Sequence, residues 1–108
     1  MGKLEPQFQK ELKEEIEKRF PGCKVFKMDP TNNQGVPDLL ILFKKKWALL
    51  ECKKSENAKH RPNQDYWVDF YNKMSFARFI FPENKEQVLH EMEQSFKSRR
   101  KTRLPRSK

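Results

Sequence analysis

Gly35-Val36-Pro37-Asp38-Leu39-Leu40-Ile41-Leu42-Phe43-Lys44-Lys45-Lys46-Trp47-Ala48-Leu49-Leu50-Glu51-Cys52-Lys53 is the stretch that decides the fold of this 108-residue chain. Two apolar runs, Leu39 to Phe43 and Trp47 to Leu50, flank a cationic break at Lys44 to Lys46, the pattern of two buried strands joined by a tight turn. Charge then stands where burial should forbid it. Asp38 opens the first strand, Glu51 and Lys53 close the second, and such groups are rare in apolar company unless paired or holding a metal. Side chains alternate across a strand, so Glu51 and Lys53 share one face while Leu50 and Cys52 take the other. With Lys44 and Lys45 as the turn, residues equidistant from it pair, which sets Asp38 opposite Glu51. Lys-Lys is poor turn chemistry beside Asn-Gly or Asp-Gly, so a register one residue away, with a longer loop or a bulge, stays open. Either way, two carboxylates and an amine converge at one end of a hairpin.

That convergence suits phosphodiester hydrolysis. Asp38 and Glu51 offer oxygen ligands for Mg²⁺, which keeps several waters and binds through one or two carboxylates plus substrate phosphate. Lys53 is placed to orient or activate an attacking water, or to offset charge on a pentacovalent phosphate. The plain structural alternative is an exposed turn carboxylate and a surface Glu–Lys pair.

Composition narrows the partners. The chain is long enough for a single core and too short for two. Charged residues make up 36% and mean hydropathy is -1.05, yet the apolar residues cluster into strands and helix faces, as in a folded body with a solvated surface. A formal net charge of +9 favours a polyanionic partner, nucleic acid ahead of an acidic membrane surface. No run approaches membrane-spanning length and the start carries no apolar signal core, so a cytosolic protein is expected. Cys23 and Cys52 lack partners at zinc-ligand spacing and read as reduced structural thiols.

Along the chain, Phe8, Leu12, Ile16 and Phe20 form an apolar stripe at helical spacing, predicting a helix from about Glu5 to Arg19 that Pro21-Gly22 ends. Lys24 to Met28 alternates as a strand. Asp29 to Gly35 has turn chemistry, and its Asn32, Asn33 and Gln34 are candidate phosphate or base contacts as well as turn formers. After Lys53, a cationic connection containing Lys54, Lys59 and Arg61 leads to a helix from about Pro62 to Lys73, with Gln64 on its first turn near wherever Lys53 points. The spacing of Tyr66, Trp67, Phe70, Tyr71 and Met74 predicts an aromatic stripe packed as core against the sheet. Ser75 to Phe81 reads as a strand and Glu83 to about Lys97 as an amphipathic helix. The order α-β-β-β-α-β-α implies an α/β fold, a mixed sheet flanked by helices. Residues 1–96 are read as the domain. The remainder, 97–108, is a basic tail, probed for nucleic-acid contact through Arg99, Arg100, Lys101 and Arg103.

Pro37-Asp38 followed by Glu51-Cys52-Lys53 resembles the signature of the PD-(D/E)XK nuclease superfamily. From Glu5 to about Glu91 the chain is similar to a stand-alone VRR-NUC domain. Glu5, Phe8-Gln9, Gly35-Val36-Pro37-Asp38, Glu51-Cys52-Lys53 and Gln64 stand in that family's order. The resemblance implies a restriction-endonuclease-like fold, with Asp38, Glu51 and the Cys52 carbonyl as ligands to Mg²⁺ or Mn²⁺ and Lys53 as the catalytic lysine. It also implies a supporting Gln64 and a helix-1 acidic residue, Glu5, for which Glu11 or Glu15 could stand in if the helix docks in another phase. Stand-alone members, like phage junction-resolving enzymes, often form dimers that exchange first helices or strands. The expectation is therefore a metal-dependent endonuclease on branched DNA, dimeric and of phage type, working in the host cytoplasm. The competing class is a non-catalytic nucleic-acid-binding module on the same fold; RNA as substrate stays open.

Overall fold

The computed structural model describes residues 5–29 and 35–98, so Asn33, Arg99, Arg100, Lys101 and Arg103 lie outside the described residues. The elements run α1 (Glu5–Arg19), β1 (Lys24–Lys27), β2 (Leu39–Phe43), β3 (Lys46–Cys52), α2 (Gln64–Met74), β4 (Ala77–Ile80) and α3 (Lys85–Lys97), in the order expected. Helix α1 buries Phe8, Leu12 and Ile16, while Glu5 in its first turn and Lys18 and Arg19 in its last complement the helix dipole. Gly22 takes the left-handed φ of 91° that turns the chain into β1.

The sheet has the order β1-β2-β3-β4. Its first two pairings are antiparallel and β3–β4 is parallel, a pairing that needs a crossover, which α2 supplies. Strands β2 and β3 pair from Leu39↔Leu50 to Phe43↔Lys46, the register of a two-residue Lys44-Lys45 turn. A slip by one would put Ile41 and Leu50, both fully buried, on opposite faces of the sheet. The turn is made despite its residues, with Lys44 at a φ of 57° where glycine is favoured.

Helices α1 and α3 cover one face of the sheet, closing a core of Leu12, Ile16, Ile41, Leu50, Cys52, Ile80, Leu89 and Met92. Helix α2 covers β3 and β4 on the other face, where Leu49, Val68 and Ala77 meet Tyr71 and Phe79. The β1–β2 half of that second face stays open, with Phe26 47% and Leu42 40% exposed. No helix among the described residues is long and apolar enough to cross a membrane.

The aromatic stripe of α2 is not the core that its spacing predicts. Val68 is the buried residue of this helix, and Tyr66 is 61% exposed. At about 100° per residue, Gln64, Val68 and Tyr71 share a face, and that is the face laid on the sheet. Seating Gln64 there rotates Tyr66 outward. Two elements also begin later than expected because side-chain amides close turns ahead of them. Asn63 takes a left-handed φ of 70°, and the Gln64 side chain accepts the Arg61 N–H at 2.8 Å, so α2 starts at Gln64 and not Pro62. Asn84 Oδ1 accepts the Phe81 N–H at 2.8 Å and its Nδ2 donates to the Phe79 carbonyl at 3.1 Å, delaying α3 to Lys85.

Candidate active site

Asp38 sits where the Gly35–Pro37 segment joins β2, and both its backbone and its side chain are held. Its carbonyl accepts the Met28 N–H at 2.7 Å, and its Oδ2 accepts the Cys52 N–H at 2.8 Å. The carboxylate is thereby pinned to the end of β3. Alternation along β3 sends Cys52 into the core and Glu51 to the α2 face, beyond Leu49. Glu51 and Lys53 are buried charged residues, 8% and 6% exposed.

Gln64 reconciles those charges. Its Nε2 donates to Glu51 Oε2 at 2.8 Å, and its Oε1 accepts from Lys53 Nζ at 2.7 Å as well as from the Arg61 N–H. An amide, carrying donor and acceptor on one planar group, can hold a carboxylate and an ammonium at once. The Lys53 backbone N–H donates to the Ile80 carbonyl at 2.9 Å, and Nζ also reaches the Lys59 carbonyl at 3.4 Å.

Burial drives the electrostatics. It pushes Glu51 up from 4.5 to about 7, with the negative charges of Asp38 and Glu5 acting in the same direction and Lys53 opposing them. Asp38 is raised too, chiefly by burial, against the Cys52 N–H and the charges of Lys53, Arg61 and Lys27. Burial lifts the Cys52 thiol well above its usual range, which suits a packing residue and not a nucleophile. Glu5, half-buried at the start of α1, is thus near enough for its charge to bear on Glu51. Glu15 is engaged elsewhere, 2.7 Å from Lys85.

Glu5, Asp38, Glu51, Lys53 and Gln64 are gathered at one end of the sheet, beside a cleft of about 320 Å³. Gly35 to Asp38, together with Glu51, Arg61, Gln64 and Trp67, line the cleft. Lys54 and Lys59 are exposed on the adjoining connection, with Arg61.

Two contributors escaped the sequence reading. His60 stacks on Phe79, ring centroids 4.1 Å apart and planes at 18°, and its Nδ1 lies 2.7 Å from Asp65 Oδ1. It pins the loop whose Lys59 carbonyl and Arg61 amide meet Lys53 and Gln64. Trp67 forms cleft wall, and Gly35, at a φ of 87°, lies so close that a Cβ there would come 2.6 Å from the indole Nε1. The available signal was position, since both residues fall just after the Glu51-Cys52-Lys53 strand end, around Gln64.

Among the described residues no three His, Cys, Asp or Glu side chains gather as a ready-made metal cage. The donors present are all oxygen. They are the carboxylates of Asp38 and Glu51 and the Cys52 carbonyl, which leaves β3 by the same edge as the N–H that Asp38 accepts. That set fits a hard cation that keeps much of its water, and two desolvated carboxylates held near one another favour a dication.

No protein-family model matches the sequence, and no curated protein matches it. Solved structures do. A VRR_NUC domain superposes with a TM-score of 0.57 and 23% identity, over 89% of this chain and 97% of that one. Hjc, a Holliday junction resolvase from Archaeoglobus fulgidus, superposes with a TM-score of 0.50 and 12% identity, over 70% of this chain and 67% of its own. The chain has the fold of a VRR-NUC domain.

Proposed function

We propose that this chain, with a fold shared by a VRR-NUC domain and a Holliday junction resolvase, is a divalent-metal-dependent endonuclease that hydrolyses DNA, preferring branched structures. The observation that carries the reading is the trio Asp38, Glu51 and Lys53, desolvated and held in place beside an open cleft, Glu51 and Lys53 through Gln64 and Asp38 by the Cys52 N–H. Burying such groups opposes folding, and apolar residues of similar size would serve stability as well or better, so their presence points to a role other than stability.

Asp38, Glu51 and the Cys52 carbonyl would hold Mg²⁺ or Mn²⁺, which when bound supplies Lewis acidity and an activated water. Lys53 presents its ammonium at a position set by Gln64 and the Lys59 carbonyl, ready for a nucleophilic water or for negative charge developing on the phosphate. Gln64 positions both partners, and Glu5 adds negative charge on the metal side. The net charge of +9 and the exposed Lys54, Lys59 and Arg61 suit contact with the phosphate backbone. The proposal extends to a homodimer formed over the open β1–β2 face at Phe26 and Leu42, which would bring two sites to a two-fold symmetric substrate.

The test is incubation with a labelled four-way junction, a flap and a linear duplex, under Mg²⁺, Mn²⁺ and chelator, beside Lys53→Ala. Cleavage confined to branched DNA and lost with chelator and in the variant supports the proposal. Binding without cleavage under either metal would overturn it in favour of a non-catalytic module. Light scattering that reports the 13.1 kDa monomer mass at micromolar concentration, and one protomer's mass added to that of the junction DNA, would remove the dimer.

A further inference from the structure

Gln9 carries the one buried side-chain polar atom among the described residues that has nothing to bond. Its Oε1 is shut from solvent and has no hydrogen-bond partner there. Leaving such an atom unpaired opposes folding, and an amide oxygen only accepts, so the missing partner is a donor. The place of Gln9 in the fold says which donor. It stands one helical turn after Glu5 on the same side of α1, and helical side chains lean back toward the amino-terminal turn, so its amide lies over the turn that Glu5 begins. That turn is at the active-site end of the sheet. Phe20, just past the other end of α1, meets Phe43 beside the β2–β3 turn, whereas the charge of Glu5 bears on Glu51 and Cys52. Yet Glu5, Asp38 and Glu51 do not gather into a cage of direct ligands. The two acceptors of α1 stand near the Asp38–Glu51 pair without joining it.

We propose that Gln9, together with Glu5, is an outer-sphere part of the metal site, its Oε1 accepting a hydrogen bond from a hydration water of the dication that Asp38 and Glu51 hold. The presence of that dication rests on the metal-dependent reading above. A hard dication bound through the Asp38 and Glu51 carboxylates and the Cys52 carbonyl keeps about half of an octahedral shell as water. Such waters are strong donors, and in a desolvated site they need acceptors fixed by the protein. Glu5 brings an acceptor with a charge, and Gln9 brings one without. The amide thus holds water without adding negative charge beside carboxylates whose ionisation burial already opposes. An ordinary buried water could also satisfy Oε1, but it would do so with or without metal. A water carried by the dication pairs Oε1 only when the metal is bound.

That difference sets the experiment. Mn²⁺ is titrated into the full chain at pH 8 without DNA, free Mn²⁺ being counted by its electron paramagnetic resonance signal, for the parent, Gln9→Met and Gln9→Glu. Thermal unfolding of all three is followed by circular dichroism in chelator. Gln9→Met keeps the length of the side chain and removes the acceptor, while Gln9→Glu keeps an acceptor and removes the amide donor. Gln9→Met is expected to bind Mn²⁺ about 10-fold more weakly, yet to melt at or above the parent's temperature in chelator, since an apolar atom replaces an unpaired polar one. Gln9→Glu is expected to bind at least as tightly as the parent. Unchanged Mn²⁺ affinity in Gln9→Met overturns the inference. So does a lower melting temperature of Gln9→Met in chelator, the mark of a resident structural water, and so does an equal loss of affinity in both variants, which would make the group at this position a donor. The two readings fail separately. Mn²⁺ binding weakened by Gln9→Met in a protein that cuts no DNA supports the outer-sphere role and refutes the nuclease, and metal-dependent cleavage with Mn²⁺ affinity indifferent to Gln9 does the reverse. A parent that takes up no Mn²⁺ refutes both.

Discussion

Replacing Glu51 with glutamine should make this protein more stable at neutral and alkaline pH, but not near pH 4.5. Glu51→Gln keeps the side chain's shape and leaves an oxygen to accept the Gln64 amide, but removes the charge that burial opposes. The carboxyl titrates near 4.5 when unfolded and at about 7 in the fold. Between those values the native state holds a proton that the unfolded state has lost, so stability falls as pH rises through the window and the loss is complete above about 7. At ~1.4 kcal/mol for each pH unit the difference amounts to ~3 kcal/mol, and the water-filled cleft reduces it to ~1–2 kcal/mol. In chelator at pH 8 the variant should therefore melt ~5–10 °C above the parent, while near pH 4.5 the two should agree within ~0.5 kcal/mol. Urea unfolding followed by tryptophan fluorescence at both pH values measures this directly. Millimolar Mg²⁺ at pH 8 should close the gap by stabilising the parent alone. A variant no more stable than the parent at pH 8, or a gap of equal size at both pH values, would refute the placement of a desolvated carboxylate at this position.

Gly35→Ala combines a φ of 87° with a Cβ 2.6 Å from the Trp67 indole, and should cost ~2 kcal/mol or more in urea unfolding, with a shift in tryptophan emission as the ring is displaced. Gln64→Ala leaves Glu51 and Lys53 without their shared partner. Turnover in the proposed nuclease reaction should fall ~10–100-fold while circular dichroism at 25 °C stays that of the parent. Lys44→Gly relieves the left-handed φ of 57° in the β2–β3 turn and should raise stability by ~0.5 kcal/mol, net of the extra freedom glycine gives the unfolded chain; a loss of stability would contradict the turn geometry.

What the sequence made legible was local. The run from Leu39 to Leu50 declares a hairpin, though its register stayed open by one residue until the structure placed Ile41 and Leu50 on one face, and the stripe from Phe8 to Ile16 declares its inner face without help from the rest of the chain. Alternation alone put Glu51 opposite in sense to Cys52. The rotation of α2 was not legible, because it is set by Gln64 donating to Glu51 and accepting from Lys53, residues at the end of β3, and these bonds override the larger apolar content of the Tyr66–Met74 stripe. The late starts of α2 and α3 likewise depend on side-chain amides bonding to particular backbone groups, which composition does not encode. His60 was invisible for the same reason, its partner Phe79 being a whole helix further along the chain.

Lys46, at the first residue of β3, donates to the Ser98 carbonyl at 2.6 Å and reaches the Ser95 carbonyl at 3.4 Å. That clasp fixes the end of α3 beside the hairpin turn, at the opposite end of β2 and β3 from Asp38 and Glu51, a separation of ~20 Å along the strand. Anything joined through the residues after Ser98, whether a fluorophore, a surface tether or a fusion partner, is therefore rooted on the far side of the molecule from the cleft. Ser98 is the natural point of attachment for immobilising this protein with its cleft open, and Glu5, at the start of α1, marks the side to leave bare.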